Sequence, residues 1–255
     1  MNRCCIALGA NLDHPERAFD LACERLEQSG VTVRQRSSLL RTAPMGADAG
    51  AEFLNAAALL QTDLSAADLL RLLHEIEDQA GRTRTTVWGP RTLDLDLLLF
   101  DDLVLESPQL TVPHPLMWFR RFVLQPLNEV APHWPHPVLH DTTAELLERL
   151  DVRPLVLRIP GISAEQSQQL QRQLEQSLKA HQPTPFSVQP DRDASSASTF
   201  ATVDLSPIAS VGRQPSQQQG RILRPFQTTV PPDELLPRLA VYLHDVLTAV
   251  LPATS

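Results

Sequence analysis

The spacing of hydrophobic positions over residues 1–150 alternates between the period of a strand and that of a helix. Apolar residues at every second position indicate half-buried strands, and apolar residues three or four apart indicate amphipathic helices. The pattern predicts helices at 15–29 and 66–80, and strands at 3–9, 31–42, 53–61, 93–100 and 103–105, the last after a hairpin turn at 101–102. This order predicts an α+β fold of the ferredoxin-like type, with helices packed on an antiparallel-rich sheet.

The remaining residues divide into the end of this first domain and an extension. Short helices at 121–127 and 143–150 are predicted to complete a domain of residues 1–151. Residues 152–255 form a low-complexity extension that is rich in Gln, Pro and Ser. Within it, the pattern predicts a strand and a helix in 155–181, a linker at 183–226 and an amphipathic helix at 232–250. We therefore expect a partly disordered extension that ends in a helix.

Composition and charge narrow the class of protein. No apolar stretch approaches the roughly 20 residues that cross a bilayer, the N-terminal residues lack a signal-peptide pattern, and the three cysteines, crowded near one end, are expected to be reduced. A cytoplasmic location is expected. Residues 1–150 carry 13 arginines and 21 aspartates and glutamates, a net charge of −8. This acidic balance argues against nucleic acid or a membrane as a partner, although local arginine clusters could still hold a nucleotide phosphate.

The most informative segment is the strand that contains Asp94 and Asp96. Because side chains alternate across a strand, both carboxylates are expected on one face. The opposite face is expected to hold the leucines of this strand, Leu93, Leu95, Leu97 and Leu99. Mg²⁺ favours a few carboxylate oxygens, keeps bound water and takes further ligands from phosphates. The segment predicts a metal site, with an exposed strand face of solvated charges as the alternative interpretation.

Three arginines lie immediately before this strand. Arg82, Arg84 and Arg91 fall on a loop that follows Gly81. Guanidinium groups bind phosphate oxygens in pairs and neutralise the charge that develops as a phosphoryl bond breaks. Any one of them could be an ordinary surface residue, but their position beside two carboxylates favours a site for a nucleotide phosphate and a metal ion.

Several motifs follow one another in a characteristic order. They are ALGANL at 7–12, RTAPMG at 41–46, FLNA at 53–56, GRTR at 81–84, WGPRTLDLDLLLF at 88–100, VPHP at 112–115 and RRF at 120–122. With these motifs the chain resembles the 6-hydroxymethyl-7,8-dihydropterin pyrophosphokinases, which transfer pyrophosphate from ATP to a pterin alcohol in folate synthesis. The resemblance covers about residues 3–150 and implies an Mg-ATP-dependent diphosphotransferase.

The resemblance also implies roles for particular residues. Catalysis is expected to depend on Arg82, Arg91, Asp94 and Asp96, with the two aspartates holding two Mg²⁺ ions. ATP, the co-substrate, is expected to contact Glu77, Arg84, Trp88, Arg91, Leu97, His114 and Arg120. The pterin is expected to stack between Phe53 and Phe122, with its edge near Thr42, Ala43, Met45 and Asn55. The loops at 43–50 and 82–91 are expected to become ordered when the two substrates bind.

In such a reaction the pterin hydroxymethyl oxygen attacks the β-phosphorus of ATP and AMP leaves, so alignment and charge neutralisation are the main tasks of the protein. We expect metal activation of the alcohol, with Asp96 as a candidate proton acceptor. One alternative is a catalytically inactive module that binds nucleotide or pterin. Another is an RNA-binding module, which the acidic charge and the missing aromatic–basic strand motif disfavour.

Two further features stay open at this point. A zinc site at His133, His136 and His140 is a weak alternative, because prolines separate these histidines and no cysteine lies nearby. The extension at 152–255 does not resemble the enzymes that are sometimes fused to this family, such as dihydropteroate synthase. Its partner is unknown from the sequence, and docking of its terminal helix on the first domain or on another subunit is expected.

Overall fold

The computed structural model describes ten stretches of the chain: residues 1–12, 14–42, 51–81, 92–152, 155–159, 162–178, 186–190, 201–203, 222–223 and 232–250. The chain divides into two compact units, Met1–Leu147 and Glu148–Leu251. None of the helices within the described stretches combines the length and the hydropathy that a membrane crossing requires.

The first unit alternates strands and helices along the chain. Its strands are β1 (Asn2–Ala10), β2 (Thr32–Arg36), β3 (Leu40–Thr42), β4 (Phe53–Thr62), β5 (Asp94–Phe100), β6 (Leu105–Glu106) and β7 (Thr111–Val112). Its helices are α1 (Pro15–Gln28), α2 (Ala66–Gln79) and α3 (Arg121–Val130), with a 3-10 turn at Met117–Phe119, and α4 (Thr143–Arg149) follows. Pro15 suits the first turn of α1 because the amide hydrogen it lacks would have no helical acceptor there.

The main sheet of the first unit is antiparallel, with the strand order β2-β4-β1-β5 and with β3 paired to β4. The order of elements and the pairing are those of a ferredoxin-like domain. The predicted fold class, a mixed α+β domain with helices on an antiparallel sheet, is confirmed. Strand β5, which carries the two aspartates, lies at one edge of this sheet.

The sheet is covered on both faces. Helices α1 and α2 bury Phe19, Leu26, Leu69 and Leu73 in a core cluster that also contains alternate residues of β1 and β4. Helix α3 contacts β1, β3 and β4, and its own buried residues lie outside that cluster. It therefore covers the opposite face, to which the intervening residues of β1, β4 and β5 point.

A β-bulge changes the alternation along β5. Cys5 pairs with Leu99 while the next residue, Ile6, pairs with Leu97, so Leu98 is an extra residue in the ladder. The core cluster accordingly contains Leu97 and then Phe100. The prediction that Leu99 shares a face with the other three leucines is wrong, because the bulge shifts the side chains beyond Leu97 by one position.

The segment after β5 also differs from the prediction. The backbone does turn at Asp101, where φ is 43°, but the following strand is β6 and it pairs with β7 instead of β5. The turn between β6 and β7 is closed by Ser107, whose amide donates to the Leu110 carbonyl at 3.0 Å and whose hydroxyl accepts from the Leu110 amide at 3.0 Å. The predicted hairpin at 101–102 is wrong because this local turn supplies the strand partner.

The second unit contains a small parallel sheet. Its elements are β8 (Leu155–Ile159), α5 (Ala164–Ser177), β9 (Phe186–Pro190), β10 (Ala201–Val203), β11 (Ile222–Leu223) and α6 (Pro232–Val250). The strand order is β11-β10-β8-β9, and all three pairings are parallel. Helix α5 is the crossover that parallel neighbours require, and a capping box between Ser163 and Gln166 fixes its first turn.

The linker predicted over 183–226 is wrong where these strands occur. Strand β9 is held by two side chains of α5: the hydroxyl of Ser167 donates to the Val188 carbonyl at 2.7 Å, and Gln171 Oε1 accepts from the Val188 amide at 2.8 Å. These strands have only two to five residues, so their pairing depends on residues far along the chain instead of on their own composition. The remainder of 183–226 lies outside the described residues.

Candidate active site

Three strands bring an amide, a glycine and a carboxylate into one row. In the sheet register Gly9 pairs with Asn55 of β4 on one side and with Asp94 of β5 on the other. A Cβ atom at Gly9 would lie 3.8 Å from Asp94 Cβ and 3.9 Å from Asn55 Oδ1. The missing side chain therefore leaves a gap between the two polar groups on the face that α3 covers.

The next row has the same arrangement with small residues. Ala7 pairs with Ala57 of β4 and with Asp96 of β5. Both aspartates are half-buried, and they lie two residues apart before the bulge, so they point to one face. Small side chains at positions 7, 9 and 57 leave this part of the sheet as a shallow floor beside two carboxylates.

Glu77 of α2 is bonded to the strand between the two aspartates. Its side chain is 1% exposed, and its Oε1 accepts a hydrogen bond from the backbone amide of Leu95 at 2.7 Å. The core packing of α2, through Leu73 and Ile76, fixes the position from which Glu77 reaches β5. Glu77, which was predicted to contact ATP, therefore forms a hydrogen bond within the protein.

His114 is half-buried beside the carboxylates, and the loss of water around its ring lowers the pKa of the imidazole. The charges of Asp96 and Asp94 act in the opposite direction on this pKa, whereas the Arg120 guanidinium lowers it further. Its Nδ1 accepts from the Leu116 amide at 3.2 Å, so the neutral ring carries its hydrogen on Nε2. His114 is therefore a neutral hydrogen-bond donor at pH 7.

A cavity of about 330 Å³ lies along the outer edge of β5. Predicted site residues that line it are Glu77, Asp94, Asp96, Leu97 and His114. Lining residues that were not predicted as site residues are Leu70, His74, Leu95, Gln109, Leu110, Thr111 and Pro115. The cavity joins charged groups on β5 to an apolar wall, a combination that suits a ligand with both a polar and a flat apolar part.

Those predicted pterin contacts that the structure describes lie on the side of the sheet that α3 covers. Asn55 Nδ2 donates to Thr42 Oγ1 at 2.9 Å, so its amide oxygen is the group directed towards the Gly9 gap. Phe53 lies two residues before Asn55 on β4 and is half-buried, as is Phe122 in the first turn of α3. The guanidinium carbon of Arg120, a residue 8% exposed, lies 5.6 Å from the centre of the Phe122 ring.

Six of the predicted site residues lie outside the described part of the chain. They are Ala43, Met45, Arg82, Arg84, Trp88 and Arg91. The loops at 43–50 and 82–91, which contain them, lie outside it as well.

Two metal ions are relevant to the donor groups of the candidate site, hydrated magnesium and zinc. Asp94 and Asp96 supply two carboxylates, which suits Mg²⁺ because this ion keeps water and takes phosphate oxygens as its other ligands. Among the residues described, no group of three or more His, Cys, Asp or Glu side chains could hold a metal ion. In the histidine-rich segment, Nδ1 of His136 accepts from the amides of Val138 and Leu139, both at 3.2 Å, and so closes a turn.

Comparison with known proteins decides the family. The model of 7,8-dihydro-6-hydroxymethylpterin-pyrophosphokinase (HPPK) matches residues 5–132, just over half of the 255-residue chain. The chain belongs to the HPPK family. The predicted resemblance and the predicted class, a pyrophosphokinase, are confirmed.

Individual relatives of the HPPK family match about half of the chain. The 2-amino-4-hydroxy-6-hydroxymethyldihydropteridine pyrophosphokinase of Bacillus subtilis is 46% identical over 127 residues, which are 49% of this chain and 76% of that protein. The enzyme of the same name from Pseudomonas aeruginosa is 42% identical over 133 residues, 52% of this chain and 82% of that protein. The second unit lies beyond the HPPK match at 5–132.

Among solved structures, the chain is similar to the crystal structure of Plasmodium falciparum HPPK-DHPS wild type, with a TM-score of 0.45 and 15% identity. The match covers 68% of this chain and about half, 54%, of that chain.

The candidate site contains residues that a sequence signal could have found. Leu70, His74 and Glu77 lie on one face of α2, because they are spaced by four and three residues. The predicted role of Glu77 could therefore have been extended to Leu70 and His74. Gln109, Leu110 and Thr111 reach the cavity only through the turn between β6 and β7. No local pattern marks those three residues.

Proposed function

We propose that the cavity beside Asp94 and Asp96 is where this pyrophosphokinase transfers pyrophosphate from Mg-ATP to the hydroxymethyl group of 6-hydroxymethyl-7,8-dihydropterin, with release of AMP. The observation that carries the proposal is the row Asn55–Gly9–Asp94. In this row the amide of Asn55 can form hydrogen bonds with a heterocycle, and the carboxylate of Asp94 can bind a metal ion. The two groups lie on opposite sides of the gap at Gly9. The groups that suit the two substrates then lie on β4 and β5, on either side of β1.

The edge cavity suits ATP. Its volume of about 330 Å³ and the apolar side chains of Leu70, Leu97 and Leu110 fit a flat base. The Nε2 hydrogen of neutral His114 and the guanidinium of Arg120 would hold phosphate oxygens. Together with Arg82, Arg84, Trp88 and Arg91, which the resemblance adds, these groups would bind the nucleotide.

The gap at Gly9 suits the pterin. A planar ring could lie over the small residues of β1, with its edge hydrogen-bonded to the amide oxygen of Asn55. Phe53 and Phe122 offer aromatic faces on the same side of the sheet, and stacking adds specificity for a planar ring. The expected contacts with Ala43 and Met45 belong to this part of the proposal.

Asp94 and Asp96 would hold the two Mg²⁺ ions of the proposal. Bound there, magnesium would neutralise the phosphate charge and lower the pKa of the attacking alcohol. The hydroxymethyl oxygen attacks the β-phosphorus, the bond between this phosphorus and the α–β bridging oxygen breaks, and AMP leaves with that oxygen. We assign the proton of the hydroxymethyl group to the carboxylate of Asp96.

The test is AMP formation from Mg-ATP with and without the pterin. We expect AMP only when the pterin is present, and a loss of at least about a hundredfold in Asp94→Asn and Asp96→Asn, because both remove a charged ligand. Asp102→Asn is the matched control, since Asp102 is exposed and follows the end of β5. Pterin binding without AMP formation would overturn the proposal in favour of a binding module without catalytic activity.

A further inference from the structure

We infer that Glu77 is a positioning residue, which holds Asp94 and Asp96 in their metal-binding arrangement through the backbone amide of Leu95. The inference rests on the proposed function, because it takes the two aspartates as the metal site. It differs from a direct contact between Glu77 and ATP, which the resemblance implies. The distinction matters because the two roles depend on different properties of the same carboxylate.

The position of the bond in the ladder is the first argument. Asp94 is the first residue of β5 and belongs to the last pair of the β1–β5 ladder, opposite Gly9. Backbone at the end of a ladder frays unless other groups hold it. The amide of Leu95 belongs to the peptide that joins it to Asp94, so a bond at this amide orients both residues.

The edge of the sheet is the second argument. Among the residues that the structure describes, no strand of the main sheet lies beyond β5. Leu95 is 2% exposed, so its amide needs an acceptor from outside the sheet. Glu77 supplies that acceptor at 2.7 Å. A carboxylate is a strong acceptor for an amide, and a residue that is 1% exposed has little freedom to move.

The rigidity of the helix is the third argument. Glu77 follows Ile76 and is four residues after Leu73, both of which are buried in the core cluster. The carboxylate is therefore anchored to the core and not to a loop. Groups that orient metal ligands from behind commonly contribute about 10- to 100-fold to metal affinity.

Two substitutions separate the hydrogen bond from the charge. Glu77→Gln removes the charge but keeps an oxygen that can accept from the Leu95 amide. Glu77→Asp keeps the charge but shortens the side chain, so it loses the bond. Glu75→Gln and Glu75→Asp are the matched controls, because Glu75 is exposed on the same helix.

The primary readout is the affinity of the full chain for Mn²⁺ alone, measured from the electron paramagnetic resonance signal of the free ion. We expect Glu77→Gln to remain within about threefold of the wild type and Glu77→Asp to bind Mn²⁺ at least about tenfold more weakly. The second readout is steady-state kinetics. Glu77→Asp should need a higher Mg²⁺ concentration for half-maximal activity, with an unchanged KM for the pterin.

Each remaining outcome has one meaning. If Glu77→Gln loses Mn²⁺ affinity as far as Glu77→Asp does, or if only Glu77→Gln loses it, the charge acts directly and the positioning role is overturned. If Glu77→Asp unfolds, as circular dichroism would show, the result for Glu77→Gln decides. Near-wild-type Mn²⁺ affinity and near-wild-type amide exchange at Leu95 in Glu77→Gln support the positioning role, and their loss overturns it.

The aspartate variants distinguish failure of the positioning role from failure of the metal site. If Asp94→Asn and Asp96→Asn leave Mn²⁺ binding unchanged, the proposed metal site itself fails. If they abolish it while Glu77→Asp binds normally, only the positioning role fails.

Discussion

Asn55 and Asp94 face one another across Gly9, whose absent Cβ would lie 3.9 Å from Asn55 Oδ1 and 3.8 Å from Asp94 Cβ. These are ordinary van der Waals distances, so the fold itself tolerates an alanine at this position. A side chain at this position would instead fill the space between the two polar groups. A substitution at Gly9 should therefore affect substrate binding more than it affects the stability of the fold.

Gly9→Ala and Gly9→Val are expected to test this separation. We expect Gly9→Ala to keep the free energy of unfolding within about 1 kcal/mol of the wild type, while the KM for the pterin rises roughly tenfold as the ring is displaced. Gly9→Val should raise that KM further. Urea denaturation and steady-state kinetics measure the two quantities, and a wild-type KM in Gly9→Val would contradict the gap as a pterin site.

The bond between Asn55 and Thr42 is expected to orient the amide that meets the pterin. Thr42→Val removes the nearer acceptor of Asn55 Nδ2, at 2.9 Å, and leaves it the Leu40 carbonyl at 3.4 Å, so the amide is held less firmly. We expect the pterin KM to rise by about 5- to 10-fold, which corresponds to the loss of one hydrogen bond of about 1 kcal/mol. Thr42→Ser keeps the hydroxyl and is the control. Equal KM values in the two variants would contradict this role.

The stability of the metal-free protein should depend on the ionisation of His114. Burial lowers the pKa of this histidine in the folded state, so between the folded and unfolded pKa values the unfolded chain binds more protons. Stability from this residue is therefore complete above the unfolded pKa of about 6.5 and is lost as the pH falls below it.

His114→Asn isolates this contribution, since its side-chain oxygen can still accept from the Leu116 amide. We expect the unfolding free energy of the variant to fall less than that of the wild type between pH 7 and pH 5, measured by urea denaturation. His133→Asn is the control, because His133 is exposed. Parallel pH profiles for the wild type and His114→Asn would show that the burial of His114 does not govern acid stability.

The second unit offers a prediction that does not involve the site. Ser167→Ala removes the donor to the Val188 carbonyl, a buried bond of 2.7 Å, and should destabilise β9 by about 1 kcal/mol. Native-state hydrogen exchange of the β9 amides measures this loss. Gln169→Ala on the exposed face of α5 should leave the exchange unchanged, and faster exchange in that control would assign the effect to the helix as a whole.

Strands β1, β4 and β5 and the two carboxylates of β5 were predictable because they depend on local alternation. Asp94 and Asp96 share a face for the same reason that Leu95 and Leu97 share the other. The prediction failed at Leu99 because a bulge depends on the pairing of β1 with β5, and pairing is a property of two distant segments.

Long-range contacts explain the other differences. The bond from Leu95 to Glu77 joins residues 18 positions apart, and no periodicity encodes it. Strand β9 is held by side chains of α5, with Ser167 and Val188 separated by 21 positions. In both cases the composition of the segment is uninformative, because the partner supplies the hydrogen bonds that fix the backbone.

The same contacts that order the site also protect the edge of the sheet. An outer strand exposes amides and carbonyls with which a strand of another molecule can pair, and this is a common route to aggregation. On β5 the Leu95 amide is taken by Glu77 at 2.7 Å, and the Leu98 carbonyl accepts from the His114 amide at 2.9 Å. Two residues to which we assign a role in the proposed site therefore also occupy backbone groups through which β5 would pair with a strand of another molecule.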